Sequence, residues 1–442
     1  MPSRVHYVVV FLLTWCQAVF ATANSEWHQK IPMINPDSSV AQAMQVLGTN
    51  NLGVIQTHFS SLESKTDKAT TADKWIHAFT VIAAPLQQVQ NRLLDFSRYK
   101  DMMPHVIDSR ISEIHSTHWI AEYKLSFKMP VVHVKPKVTM LHRLLPNGDL
   151  VEQAVKGDLE FSQARWQLIP LSPKRTLVIQ TSAADIGSAS WWLKLMFYVQ
   201  PDLELLSPIN AAALTLQSLR QAVERKFLHR VIRIKSDNCD KSELQQLLPD
   251  FNKAQQRAIG ELTSIGPVSM AGAHTVLSYC KKRLVLQAVT TARMVPKPKP
   301  QLIDYYSDIR HYPKHMKAIR RIDKVKEKAL QHHSQWQLGF DFAVFTFKVN
   351  FAVNGTWNSE RDEFNFHSPE GDFHYLNGRL QAWQHEENAT IVLFSSAHEI
   401  DPNAGYILKA ISGIPFNQLF SGIFIGRQLI DGQAAMLNDR SN

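Results

Sequence analysis

The 442-residue chain is 45% hydrophobic and 20% charged, a composition that excludes intrinsic disorder and fibrous architectures. At roughly 150 residues per domain its length calls for two or three domains. The 48 basic and 39 acidic residues give a net charge of +9. The basic residues are scattered, with short clusters at 281–283 and 317–328, and this predicts a solvated surface and no nucleic-acid partner.

The chain opens with a basic Arg4, an apolar run from Val8 to Phe20 and the small-residue triplet Ala21-Thr22-Ala23. That order predicts a signal peptide over residues 1–23, cleaved after Ala23. Bulky Trp15 before Cys16 argues against lipidation, and no later run is apolar over the roughly 18 residues that a membrane span needs. The expected product is exported and soluble. Export leaves Cys239 and Cys280 in an oxidising compartment, where a disulfide between them and a pair of free thiols both stay open.

In chain order, the pattern predicts a short helix at Ser39–Leu47 and a strand at Trp75–Ala83. Pro85 then opens a helix with Leu86, Val89, Leu93 and Phe96 on one face. A long strand follows in which Trp119, Ala121, Tyr123, Leu125, Phe127 and Met129 alternate with mainly polar neighbours, giving one buried and one wet face. Further strands are predicted from Val132 to Met140, at Asp149–Val155, at Leu159–Ile169 and at Leu177–Ala183. After Pro208, Ile209, Ala212, Leu216, Leu219, Val223 and Phe227 form an amphipathic helical stripe.

The second half repeats this plan. A shift of 213 aligns Pro36-Asp37 with Pro249-Asp250, Gly53 with Gly266, Pro85 with Pro298, and Asp95, Tyr99 and Met103 with Asp308, Tyr312 and Met316. Trp119 matches Trp336 at 217, and GDLEFSQARWQ (Gly157 to Gln167) matches GDFHYLNGRLQ (Gly371 to Gln381) at 214. Pro208 and Arg220 match Pro415 and Arg427 at 207. Ordered matches over this length predict two tandem domains, at 36–232 and 249–435, joined by a polar linker at 233–248. Each is expected to be an α+β unit in which a curved antiparallel sheet wraps on one long C-terminal helix.

The Ala84-Pro85 step, the run Asp95-Phe96-Ser97-Arg98-Tyr99 with Met103-Pro104, and the Gly-Asp strand leading to Trp166 resemble the START-like (SRPBCC) helix-grip superfamily. The likeness is nearest to its polyketide cyclase and coenzyme Q-binding branch. Asp401-Pro402-Asn403-Ala404-Gly405-Tyr406 resembles the approach to the grip helix in START-like lipid carriers. The second copy departs from the pattern, with Lys314-His315-Met316 in place of Asp101-Met102-Met103 and a Pro-Lys-Pro-Lys-Pro run at its helix start. The resemblance implies an apolar or amphiphilic ligand held between sheet and helix, with no cofactor, and a bacterial periplasmic location.

Cavity-facing candidates are Trp119, Tyr123, Phe127, Trp166, Leu216 and Leu219 in the first copy, and Trp336, Phe340, Phe342, Leu380, Leu419 and Ile423 in the second. Core filling is the competing reading for each. Gly422 and Gly426, one turn apart, make room either for ligand or for close packing of helix on sheet. The apolar stretch 191–206, longer than its counterpart, suits either transient membrane contact or a lid. Arg165 and Arg379 are placed on the outer face by alternation. Glu122, Asp158 and Tyr123 are the residues available for acid–base chemistry. His311 and His315 flank Pro313 without the further ligands that zinc needs, so no metal site is expected.

These readings predict a non-catalytic carrier for a lipid or isoprenoid-like molecule. A polyketide cyclase or aromatase-like enzyme and a filled-core protein-contact module are the alternatives.

Overall fold

The structure is a computed structural model that describes residues 27–58, 74–103, 105–128, 133–185, 188, 191, 194, 198, 201–224, 229–233, 247–279, 282–316, 318–328, 330–342, 345–401, 403 and 417–439. The expected signal peptide, Cys239 and almost all of the proposed linker lie outside these residues, as does Cys280.

The first copy contains α1 (Ser39–Gly48), β1 (Leu52–His58), β2 (Lys74–Ile82), α2 (Leu86–Leu93), α3 (Tyr99–Met102), β3 (Val106–Ile114), β4 (His118–Leu125), β5 (Phe127–Lys128), β6 (His133–Val134), β7 (Lys137–Leu144), β8 (Leu150–Gly157), β9 (Ser162–Ser172), β10 (Arg175–Ala184) and α4 (Pro201–Glu224). After β11 (His229–Arg233), the second copy contains α5 (Lys253–Ile265), β12 (Val268–Tyr279), β13 (Lys282–Val295), α6 (Lys299–Ser307), α7 (Tyr312–His315), β14 (Ile319–Lys328), β15 (Gln331–Phe342), β16 (Phe345–Asn358), β17 (Glu363–His367), β18 (Phe373–Glu386), β19 (Ala389–Ile400) and α8 (Asn417–Asp439).

Strand order repeats with the sequence. In the first copy the hydrogen-bonded order is β1-β2-β10-β9-β8-β7-β4-β3, all antiparallel. In the second it is β12-β13-β19-β18-β17-β16-β15-β14, again antiparallel throughout. The equivalent strands β1 and β12 then pair with each other, Ile55 opposite Val268, so the two sheets become one 17-stranded sheet. Register makes Gly53 equivalent to Val268 and Ile55 to Met270, so the pairs Gly53–Met270 and Ile55–Val268 exchange about a local pseudo-twofold axis at Val54–Ser269.

Local chemistry explains the repeated Gly-Asp step. Gly157 and Gly371 have φ of 124° and 122°, a conformation that favours glycine. A Cβ at either position would lie 2.3 or 2.5 Å from the carbonyl oxygen of Lys137 or Asn350. The following aspartates accept the backbone N–H of those same residues, Lys137 to Asp158 and Asn350 to Asp372, both at 2.7 Å. The motif thus closes one strand against its neighbour in each copy. At helix starts, Ser38 caps α1, and Asn252 with Gln255 forms a reciprocal capping box on α5.

Four sequence expectations are corrected. The helix expected after Pro208 starts at Pro201 and carries Pro208 inside it, so part of the 191–206 stretch is helix. Strand β1 had no predicted counterpart, since LGVIQTH is nearly all buried and lacks alternation. The domain limit at 232 falls within β11, which pairs in parallel with β12 of the second copy. The shift of 217 that matched Trp119 to Trp336 is replaced by 213: Val106 faces Leu125 and Ile319 faces Leu338, while Tyr123 faces Val138 and Trp336 faces Phe351. Tyr123 is therefore the counterpart of Trp336, and Trp119 that of His332.

Candidate ligand cavity and the interior of the first copy

The inward face of the second sheet and one side of α8 enclose an apolar cavity of about 70 Å³ that opens towards solvent. Its walls come from α7 (Tyr312), β15 (Trp336, Leu338), β16 (Phe351, Val353), β17 (Phe364, Phe366), β18 (Leu380), β19 (Phe394, Ser396) and α8 (Phe424, Ile425, Gln428), among others. Among the described residues, no lining side chain is a carboxylate, histidine, lysine or arginine.

Two glycines make this wall aromatic. A Cβ on Gly355 would lie 2.1 Å from the Phe364 ring, and one on Gly378 would lie 2.0 Å from the Phe366 ring. The rings therefore lie flat over glycine. Phe364 stacks on Phe366, and Phe366 on Phe394, each pair with centroids 6.0 Å apart. The indole N–H of Trp336 is satisfied, donating to the Ser334 hydroxyl at 2.8 Å.

The first copy puts different chemistry at the same positions. Register makes Tyr123, His142, Leu150, Glu152 and Trp166 the counterparts of Trp336, Gly355, Phe364, Phe366 and Leu380. The Tyr123 hydroxyl lies 2.9 Å from His142 Nε2, and His142 Nδ1 lies 3.0 Å from Glu152 Oε1. Trp166 Nε1–H donates to Glu152 Oε2 at 3.1 Å. All four residues are buried. Phe96 stacks on His142 with centroids 4.0 Å apart and also meets Trp119, while Tyr99 stacks on Tyr123. Burial, followed by the Glu152 charge, pushes the Tyr123 phenol above its ordinary range, so it stays protonated and donates. With the Tyr123 hydroxyl donating, His142 Nε2 accepts and its Nδ1–H donates to Glu152.

The expected site residues separate accordingly. Trp336 and Leu380 line the cavity. Tyr123 and Trp166 belong to the polar network, while Trp119, Leu216 and Leu219 pack in the apolar core around it. Leu419 and Ile423 are corrected: neither lines the cavity, and both join the core of the first copy, which Phe424, next to Ile423, touches as well as the cavity. The side chains of Phe127, Phe340 and Phe342 lie outside the described residues.

Gly422 and Gly426 serve packing. Added Cβ atoms would lie 2.6 Å from Val289 and 2.5 Å from Thr291 on β13. Arg165 and Arg379 are outward but buried. Arg165 donates to the His28 carbonyl and lies 3.9 Å from Asp149; Arg379 donates to Asn365 and Asp250 and lies 3.9 Å from Glu363, the counterpart of Asp149. Glu122 is exposed beside Arg110, and Asp158 is occupied with the Lys137 N–H, so of the three acid–base candidates only Tyr123 points inward. His311 pairs with Asp308 at 3.0 Å, and no metal-ligating cluster occurs among the described residues.

Sequence reasoning missed Phe364, Phe366, His142 and Glu152. Alternation in EFNFH marks the first pair, and continuing Val138-Met140 by two residues reaches His142.

Residues 82–205 match the family model described as polyketide cyclase / dehydrase and lipid transport. No curated protein matches the chain. Among solved structures, a protein from Thermus thermophilus is 20% identical with a TM-score of 0.30, over 35% of this chain and 99% of its own. A STAR-related lipid transfer protein from Xanthomonas axonopodis is 15% identical with a TM-score of 0.28, over 36% and 97%. A di-domain ARO/CYC protein of the steffimycin biosynthetic pathway is 7% identical with a TM-score of 0.27, over 83% and 99%. Over residues 82–205, then, the first copy is similar to the polyketide cyclase / dehydrase and lipid transport family.

Proposed function

We propose that the protein is a non-catalytic carrier whose second copy holds a lipid or isoprenoid-like molecule between the sheet and α8, in the helix-grip manner. The observation that carries this reading is the wall itself: an aromatic cavity with no carboxylate, histidine, lysine or arginine among its described lining residues suits an apolar body, and its polar side chains are confined to Tyr312, Ser396 and Gln428. In the first copy the counterpart side chains close on one another. Export through residues 1–23 belongs to the same proposal. So does membrane contact through 191–206, where Trp191 and Tyr198 are 66% and 85% exposed.

Native mass spectrometry of the full chain purified from its own host tests the carrier. A co-purifying neutral, apolar molecule is expected. Leu380→Trp, which places the first copy's Trp166 side chain in the second, should leave the protein folded and lower occupancy about tenfold or more. An empty wild-type protein, or unchanged occupancy in the variant, rejects the reading.

One observation favours cyclase-like chemistry in the first copy, namely the Tyr123–His142–Glu152 chain, an order that polarises a hydroxyl. Turnover of a supplied poly-β-ketone by wild type, lost in His142→Gln while ligand occupancy is kept, would establish that second reading, and its absence in wild type removes it.

A further inference from the structure

The strand that borders the cavity is basic in one copy only. Strand β14 begins beside cavity-lining Ala318 and Ile319 and carries Arg320, Arg321, Lys324, Lys326 and Lys328 against Asp323 and Glu327. All five basic residues are exposed. Arg321 occupies Asp323 at 2.5 Å, whereas Lys324, Lys326 and Lys328 form no ion pair among the described residues. The equivalent β3 carries Arg110 against Asp108 and Glu113, and exposes Ile107 and Ile114.

Lysines on an edge strand often serve only to block strand addition. The duplication supplies the control. Both β3 and β14 are outermost in their copies, yet only β14 has the excess of positive charge. Edge protection alone therefore does not account for it. At the turn after β14, Leu330 is 50% exposed beside Lys328, so an apolar residue sits next to exposed cations, the combination that suits a headgroup boundary.

We propose that the β14 edge and its turn dock the second copy onto an anionic lipid surface, presenting the cavity to the membrane from which its ligand comes. The proposal rests on the carrier reading for the ligand, but the docking itself is measured without one. It assigns contact to residues other than 191–206. Basic residues near an anionic membrane each strengthen binding about fivefold, and the attraction falls with salt.

Co-sedimentation with vesicles tests it, using phosphatidylcholine alone and phosphatidylcholine containing 30% phosphatidylglycerol, a composition set at roughly the charge density of an anionic leaflet. The full chain should bind the anionic vesicles at low salt and release as salt rises. The triple variant Lys324→Glu, Lys326→Glu, Lys328→Glu should bind at least about tenfold more weakly. A control triple on the first copy, Lys100→Glu, Lys124→Glu, Lys137→Glu, changes the net charge equally and should retain binding within about threefold. Equal losses in the two triples, equal binding to neutral vesicles, or full displacement by a single-stranded oligonucleotide of equal charge would each overturn the assignment. Loss of vesicle binding with ligand occupancy intact separates this failure from failure of the carrier reading.

Discussion

At the scale of single residues, the two copies show how one position can be solved with different chemistry. His77 is buried between two threonines, with Nε2 3.0 Å from Thr57 Oγ1 and Nδ1 2.9 Å from Thr181 Oγ1. Its counterpart in the second copy is Thr290, which faces Ser395 as His77 faces Thr181, and there Thr290 and Ser395 pair directly at 2.7 Å. Burial lowers the His77 pKa from 6.5 to about 4. A base with a depressed folded pKa binds its proton more readily when unfolded, so its neutral form stabilises the fold fully above about 6.5 and progressively less towards 4. Over a fall from pH 7 to pH 5 this one residue should cost about 2 kcal/mol, taking about 1.4 kcal/mol per pH unit below 6.5. His398 and His105, lowered by burial to about 4 as well, tilt stability the same way. Urea unfolding at the two pH values should show a smaller difference in His77→Thr than in wild type, by about that amount. Equal pH dependence in both proteins would mean that His77 takes no part in the acid destabilisation.

At the scale of elements, the repeat was legible because it is written in backbone requirements. Gly157 and Gly371 are demanded by positive φ, and Asp158 and Asp372 by a strand N–H that needs an acceptor. Alternation likewise exposed β4, where one face is buried and the other wet. Identity between large side chains was a poorer guide. Trp119 and Trp336 look equivalent, but hydrogen-bond register pairs Trp336 with Tyr123, and side-chain likeness exerts no control over register. The cavity was half legible: Trp336 and Leu380 were found, while Phe364 and Phe366 were marked only by the brief alternation of a five-residue strand. Which side of α8 meets the cavity was not readable either, because both sides are apolar and the second core that one of them serves belongs to the other copy. The glycines on that helix give a sharp test. Gly422→Ala would gain about 1 kcal/mol in helix propensity, but its Cβ would stand 2.6 Å from Val289, and overpacking costs about 1–3 kcal/mol. Clash should win, with net destabilisation of about 1 kcal/mol in urea unfolding, and Val289→Ala in the same chain should be less harmful than in wild type. A stabilised Gly422→Ala protein would show that α8 stands farther from β13.

At the scale of the whole molecule, the copies are not beads on a string. Equivalent strands β1 and β12 pair, equivalent helices α1 and α5 share a core through Met44, Leu47, Ile259 and Leu262, and α4 and α8 meet through Leu216, Leu219, Leu419 and Ile423. Each helix pair covers one face of the joined sheet, so neither copy can unfold without exposing apolar surface of the other. Arg427 adds a polar tie, donating from α8 to Gln56 of β1 at 3.0 Å. Chains of this length commonly unfold domain by domain, but shared cores argue for one transition. Calorimetry of the full chain should give a single peak. Leu262→Ala, which empties part of the shared core, should move that peak as a whole, at a cost of about 2–5 kcal/mol. Two peaks, with only the second copy's displaced, would show that the seam couples the halves weakly. The same coupling makes occupancy of one cavity a property of the entire chain. A ligand bound in the second copy at about a hundred times its Kd adds about 2.7 kcal/mol to the stability of whatever unfolds with it. If the halves unfold together, that increment also protects Trp166 and the buried network of the first copy. Hydrogen exchange at the first copy's strands, slowed when the second cavity is filled, is the expected result.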